Sequence, residues 1–155
     1  MTTEIAQFMR KLEHLWDEHL EALITRGDVE AAMSSMTAAP SVRHFPTSTG
    51  AEGREALAAF YRDTFLPHLP SELQWTRRSR TVDRFRLVDE LTVSFLHDSE
   101  LPWLIPGIPP TGRRASVTAI VIVEFHRGAI ASQRTFWDSA SLASQLGVTL
   151  DLATR

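Results

Sequence analysis

The chain has 155 residues, of which 43% are hydrophobic and 23% charged, the composition of a single soluble globular domain. Its formal net charge is −3, so no overall positive field favours nucleic acid as a partner. The chain contains no cysteine, which excludes disulfides, thiolate catalysis and cysteine-ligated metal centres. Any chemistry must therefore come from oxygen and nitrogen side chains.

The sequence predicts neither targeting nor membrane insertion. Charges recur every few positions near the N-terminus, unlike the apolar core of a signal peptide. The longest apolar run, residues 119–123, is too short to cross a bilayer. We expect a cytoplasmic protein with no membrane partner.

The first half of the chain predicts helices. Apolar residues between positions 5 and 24 recur at three-and-four spacing, and Gly27 is placed to end that helix. An aspartate N-cap favours a shorter helix over residues 28–36. A short segment at 41–45 leads into a polar loop, and residues 53–65 predict a third helix that prolines end.

The second half predicts strands and then one short helix. The strands are predicted over residues 73–82, 86–97, 113–125 and 130–137, and the helix over 139–145. An apolar, proline-rich loop separates the second of these strands from the third. This order indicates an α+β fold. We expect one domain over residues 1–155, with a curved antiparallel sheet of four to six strands wrapped around the N-terminal helices as a cone with an internal pocket.

Three blocks of residues then point to a family. They are Val42-x-His44-x-Pro46 with Gly53-Arg-Glu-Ala-Leu57, Pro109-Pro-Thr-Gly-Arg113, and Trp137-Asp138-x-x-x-Leu142-x-x-Gln145-Leu146-Gly147. Together they resemble the SnoaL-like polyketide cyclases of the nuclear-transport-factor-two-like superfamily. The resemblance implies a cone that is usually dimeric, with cofactor-free acid/base chemistry in its enzymatic members. Because one fold hosts many activities, the resemblance indicates the fold more firmly than the reaction.

The resemblance assigns the acid/base role to Asp138. An apolar pocket would raise the pKa of this carboxyl toward the working pH, so that it could move a proton next to a carbonyl group. The same residue is also a good N-cap for the helix over 139–145. The two roles do not exclude each other. The resemblance also suggests that His44 polarises a substrate carbonyl, with a structural histidine as the alternative.

Strand alternation adds Arg134 to the catalytic candidates. Ser132, Arg134, Phe136 and Asp138 share one face of the last strand, which is the pocket face in this interpretation. An arginine there must be paired or bind an anion, and Glu124 is the expected partner. The family pattern has an acid and an aromatic residue where this chain has Ser132 and Arg134, which makes the standard cyclase substrate doubtful.

A β-bulge would reverse that alternation. In that case Gln133, Thr135 and Trp137 would face the pocket instead.

The remaining candidates are expected to border the pocket as substrate-binding residues, and each has an ordinary alternative as a structural side chain. They are Glu124, His97, His19, Trp16, Tyr61, Phe136 and Trp103. No tight spacing of histidine and acidic residues indicates a metal site, so we expect no metal and no cofactor.

The leading hypothesis is a cofactor-independent enzyme that acts by acid/base chemistry on a hydrophobic, oxygenated small molecule in the cone. Cyclase, isomerase, dehydratase and hydrolase reactions all fit it, and the protein would be a homodimer. The alternative is a non-catalytic binding or accessory module. That alternative predicts that Arg134 pairs with Glu124 and that Asp138 only caps a helix and points into solvent. A third hypothesis is a dimerisation domain whose cone is filled and has no cavity.

Overall fold

A computed structural model describes residues 2–150, in which helices and strands follow each other as the sequence predicts, except that a short strand, Thr49–Glu52, begins within the predicted polar loop. The helices are α1 Thr2–Leu20, α2 Val29–Ser34, α3 Arg54–Phe60 and α4 Ser139–Leu146. The strands are β1 Met36–Phe45, β2 Thr49–Glu52, β3 Ser71–Val82, β4 Arg86–Leu96, β5 Arg114–His126 and β6 Ala129–Trp137. Short π-helical turns, Glu21–Thr25 and Tyr61–Phe65, prolong α1 and α3, and a 3₁₀ turn, Leu66–His68, follows the second.

A glycine and an N-capping aspartate explain where the first helical segment ends and where α2 begins. Gly27 takes a positive φ of 62°, which suits a residue without a side chain and turns the chain. Asp28 then accepts a hydrogen bond from the Ala31 amide at 3.0 Å and caps α2. The expected helix end at Met36 is wrong by two residues, because Met36 pairs with Ile130 and begins β1.

The six strands form one sheet in the order β2-β1-β6-β5-β4-β3. Every neighbouring pair is antiparallel except β1 and β6, which run parallel. The expected fully antiparallel sheet is therefore corrected to a mixed one. Parallel neighbours need a long connection, and the chain between β1 and β6 supplies one that contains four strands and three helical segments.

A β-bulge near the start of β6 decides which side chains of that strand face the interior. Glu124 pairs with Ser132, whereas Phe125 pairs with Ile130, so Ala131 is the extra residue. Ile130 is fully buried, and beyond the bulge the odd-numbered positions of the strand turn inward. This single residue inverts the alternation that the sequence suggests for the rest of β6.

The core lies between the helices and the concave face of the sheet. Buried residues of α1 and of the segment after α3 pack against alternate residues of β4, β5 and β6. The loop over residues 98–112 contributes to the same core through Leu101, Trp103, Leu104 and Ile105, all of which are buried. No helix within residues 2–150 combines the length and the apolarity needed to cross a membrane.

Candidate functional site

A cavity of about 80 Å³ lies inside the cone, between α1, the Tyr61–Phe65 turn and the concave face of the sheet. Since roughly 10–15 Å³ suffices for one water molecule, the cavity has room for a small organic molecule. Most of its lining is aliphatic or aromatic, and no Asp, Glu, Lys or Arg of the described chain lines it. The hypothesis of a filled cone is therefore wrong.

His44 is the one histidine in the cavity wall. It is only 4% exposed and sits among four aromatic rings, those of Phe60, Phe65, Trp103 and Trp137, with centroids 5.2 to 6.4 Å from its own. Burial lowers its pKa to about 4, so the ring is neutral near pH 7. His44 therefore lies in the cavity wall, and its role in polarising a substrate carbonyl stays a prediction.

The hydrogen bond of His44 determines which of its nitrogens carries the proton. The Trp137 indole Nε1–H lies 3.1 Å from His44 Nδ1 and can only donate. Nδ1 must therefore accept, which leaves the proton of the neutral ring on Nε2. Within residues 2–150 this Nε2–H makes no hydrogen bond, and it is free to donate to an oxygen in the cavity.

Three further polar side chains belong to the lining. Gln133 donates to the Thr135 hydroxyl at 3.0 Å on the inner face of β6. Tyr61 is buried and its hydroxyl finds no partner among the described residues. Burial raises the pKa of Tyr61, so the phenol stays protonated.

Trp103 forms the cavity wall on the side of the 98–112 loop. Its indole donates to the His68 carbonyl at 3.0 Å, and its own carbonyl accepts from the Thr49 hydroxyl at 2.6 Å. These bonds tie the loop to both the 3₁₀ turn and β2, so the ring is held in place. Trp103, Trp16 and Tyr61 all lie in the cavity lining, and the substrate-binding roles expected of them stay predictions.

Asp138 lies outside the cavity. Its side chain is exposed, and its Oδ1 accepts from the Ser141 amide at 3.1 Å as the N-cap of α4. The capping interpretation is the one the geometry shows, while the expected catalytic position in an apolar pocket is wrong. The reason is that β6 ends at Trp137, which occupies the pocket position itself.

Arg134, Glu124 and Phe136 also lie outside the cavity, on the opposite face of the sheet. Arg134 donates to Glu124 Oε1 at 3.3 Å with about 40% of its side chain exposed. Phe136 is 39% exposed and stacks on Phe45 at 4.8 Å. The predicted pocket roles of these three residues are corrected, because the bulge at Ala131 turns Arg134 and Phe136 outward and Glu124 alternates with the buried Val123 and Phe125 of β5.

His97 and His19 are buried but do not line the cavity. The ring of His97 packs under the 98–112 loop, where its Nδ1 accepts from the Thr111 amide at 3.2 Å. His19 lies directly behind the lining, because its ring stacks on Trp16 with centroids 5.4 Å apart. No group of three His, Asp or Glu side chains in the described part of the chain is arranged to hold a metal ion.

The sequence analysis named some lining residues only as an alternative and did not name others. Gln133, Thr135 and Trp137 were expected to face the pocket only in the bulge alternative, which the structure confirms. Phe65 and Trp75 were not singled out, although both line the cavity. Phe65 shares the apolar helix face of Tyr61, and that shared face was the available indication.

The helices and the curved six-stranded sheet around the cavity define an α+β cone fold. The family model described as SnoaL-like polyketide cyclase matches residues 14–146, so the chain belongs to the SnoaL-like polyketide cyclase family. No curated protein matches the chain.

Solved structures share the fold over most of the chain. TsrD from Streptomyces laurentii is 27% identical with a TM-score of 0.69, over 90% of this chain and 97% of that one. A protein described as a SnoaL-like polyketide cyclase from Jannaschia sp. CCS1 is 22% identical with a TM-score of 0.70, over 93% and 94%. The epoxide hydrolase/cyclase-like enzyme SalBIII is 17% identical with a TM-score of 0.61, over 85% and 94%. The last two likenesses show the fold alone.

Proposed function

We propose that the cone binds a neutral, largely apolar small molecule through a carbonyl oxygen and converts it by cofactor-independent acid/base chemistry. The observation that carries this proposal is the neutral His44, whose Nε2–H is available in an otherwise apolar cavity. The described relatives include proteins named as polyketide cyclases and a cyclase-like enzyme, which supports small oxygenated molecules as the substrate class.

The cavity wall favours a neutral ligand. Burying an ion without a partner is costly, and no lining residue of the described chain carries a charge that could pair with one. Rings and aliphatic side chains dominate the lining, so most of the ligand surface must be apolar. A carbonyl group meets both demands, because it accepts a hydrogen bond without carrying a net charge.

His44 would act as the group that polarises this carbonyl. A donor fixed in an apolar site stabilises the negative charge that grows on the carbonyl oxygen when solvent water or hydroxide takes the proton from a neighbouring C–H. The neutral imidazole serves as an electrophile in this way when its pKa is lowered. Trp137 is then a positioning residue, because its indole N–H holds His44 in the tautomer that donates into the cavity.

A matched pair of probes tests the binding step. Acetophenone and ethylbenzene have similar shapes, but only acetophenone has an oxygen that can accept from His44. One net hydrogen bond stabilises by about 1 kcal/mol, so we expect wild type to prefer acetophenone by about 5-fold in an NMR titration. His44→Phe should abolish this preference, whereas His126→Gln, which changes an exposed histidine, should keep it. Equal affinities in wild type would refute the role of His44.

The conversion step is tested by proton exchange. In D₂O, the methyl group of bound acetophenone should exchange its protons for deuterium faster than in buffer alone, and His44→Phe should slow that exchange toward the buffer rate. NMR follows the loss of the methyl signal. Binding that depends on His44 without accelerated exchange would contradict catalysis and leave binding as the function.

A second candidate function is therefore a non-catalytic binding module. The specific observations that favour it are the Arg134–Glu124 pair and the exposed, helix-capping Asp138, both of which that hypothesis predicts. The homodimer and the cytoplasmic location expected from the sequence stay predictions.

A further inference from the structure

The cavity is partly open to solvent, and its partly exposed lining residues show where. Seven lining residues are partly exposed, and two of them, Gln133 and Trp137, lie on β6 in the middle of the sheet. The other five flank the gap between the end of α1 and the start of β3, and they are Leu20, Ile24, Leu69, Leu73 and Trp75. Because β3 is an edge strand, no further strand covers this gap. The opening of the cavity therefore lies between α1 and β3.

The seam between α1 and β3 is closed at one end only. Arg80 of β3 reaches Glu13 and Asp17 of α1 at 3.4 Å and 2.7 Å and joins the two elements there. Toward the opening, no other hydrogen bond or ion pair joins the segment 2–25 to β3 within the described residues 2–150. The five side chains that border the opening are all apolar, so a group that passes between them must be apolar as well.

The size of the cavity determines that a ligand of ordinary size reaches this opening. Its volume of about 80 Å³ is well below the roughly 300–1,000 Å³ of pockets that hold ligands of drug-like size. A larger ligand whose carbonyl oxygen accepts from His44 therefore extends beyond the cavity. The gap between α1 and β3 receives that extension without displacing the buried part of the wall.

We propose that the substrate carries an apolar chain that leaves the cavity between α1 and β3, and that Trp75 determines how tightly this chain is held. Trp75 has the largest side chain of the five, and its pairing with Val93 of β4 fixes its position. No hydrogen bond or aromatic stacking partner among residues 2–150 occupies its indole, so its surface is available to a ligand. The inference rests on the proposed function and narrows its substrate class to ketones with an aliphatic or aromatic extension.

A series of alkyl phenyl ketones tests this inference. Hexanophenone has four methylene groups more than acetophenone. A fully buried methylene group raises affinity about fourfold, and one that is half-exposed in the opening raises it about twofold. We therefore expect wild type to bind hexanophenone about 16-fold more tightly than acetophenone in an NMR titration, with butyrophenone between them. Equal affinities for the three ketones would overturn the proposal.

Trp75→Ala should lower the ratio of the hexanophenone and acetophenone affinities to about fourfold or less, because the chain loses the indole surface beside it. Phe85→Ala is the matched control, since it removes an aromatic ring that is 63% exposed and lies outside the cavity lining, and it should keep the ratio. If Trp75→Ala does not fold, Ile24→Ala on the opposite side of the opening should lower the ratio about twofold. An unchanged ratio in the folded variant would show that the chain does not pass between α1 and β3.

The same variants separate this inference from the proposed function. Trp75→Ala should keep the preference for acetophenone over ethylbenzene, which reports on His44. His44→Phe should lose that preference and still bind hexylbenzene more tightly than ethylbenzene, because the opening is unchanged. Loss of the carbonyl preference alone would therefore refute the role of His44, and loss of the chain-length effect alone would refute the role of Trp75.

Discussion

Two regions of this molecule differ in whether their buried polar side chains have hydrogen-bond partners. On the outside of α1, Arg80 reaches Asp89, Asp17 and Glu13, and these contacts use all five guanidinium N–H donors. Its side chain is only 8% exposed, and Asp89 is 2% exposed. This region joins α1 to β3 and β4 with its hydrogen bonds satisfied, as a structural element does.

On the inside of α1, the cavity region leaves its polar atoms open. His44, Trp16, His19 and Tyr61 are as deeply buried as Arg80, yet each presents a donor or acceptor with no partner among the described residues. Such groups lower stability in the ligand-free protein, and they are typical of a site that is completed by a ligand. The comparison shows that α1 carries satisfied ion pairs on one face and unpartnered polar atoms on the other.

The largest expected effect comes from breaking the outer region. Arg80→Met leaves Asp89 as a buried charge without its partner, so we expect a loss of about 3 kcal/mol in the free energy of unfolding. Urea denaturation measures it. Arg26→Met, which removes an exposed ion pair with Glu18, is the matched control and should change nothing measurable. Adding Asp89→Leu to Arg80→Met should restore most of the loss, and no recovery would contradict an electrostatic cause.

The next largest expected effect is a loss of folding stability in acid, which the two buried histidines of the inner region cause. The pKa values of His44 and His19 are both lowered to about 4 from 6.5, so the unfolded chain binds more protons between those pH values. Stability is therefore complete above pH 6.5 and falls as the pH drops toward 4. At pH 5 linkage gives a loss of about 2 kcal/mol for each histidine.

Urea denaturation of wild type and His44→Phe at pH 7.5 and pH 5 measures this loss. We expect the variant to lose less stability between the two pH values than wild type. An equal loss in both proteins would show that His44 does not cause the acid sensitivity.

The smallest expected effect concerns Asp138, which belongs to neither region. Asp138→Ala removes the N-cap of α4 and should lower the free energy of unfolding by about 1 kcal/mol, whereas Asp138→Asn keeps a capping oxygen and should be close to neutral. Because the side chain lies outside the cavity, Asp138→Asn should also keep the exchange rate of bound acetophenone. If a folded Asp138→Asn variant no longer accelerated the proton exchange of acetophenone, Asp138 would take part in the reaction.

Much of the fold and less of the site follow from the sequence. Helical spacing and strand alternation locate nearly every element, because an element that buries one face has apolar residues at regular intervals in the sequence. The sheet face on which Arg134 lies is an example of what the sequence pattern does not predict. Its face depends on a bulge at Ala131, and one extra residue inverts the alternation of a whole strand without changing its composition.

The sequence by itself determined the α+β class, the family and the N-cap formed by Asp138, since these depend on residue type and short-range order. Only the tertiary structure decided that β1 and β6 run parallel, that Trp137 holds the tautomer of His44, and that Trp16, His19 and Tyr61 gather beside one cavity. Those features depend on contacts between residues far apart in the chain, which no local pattern records.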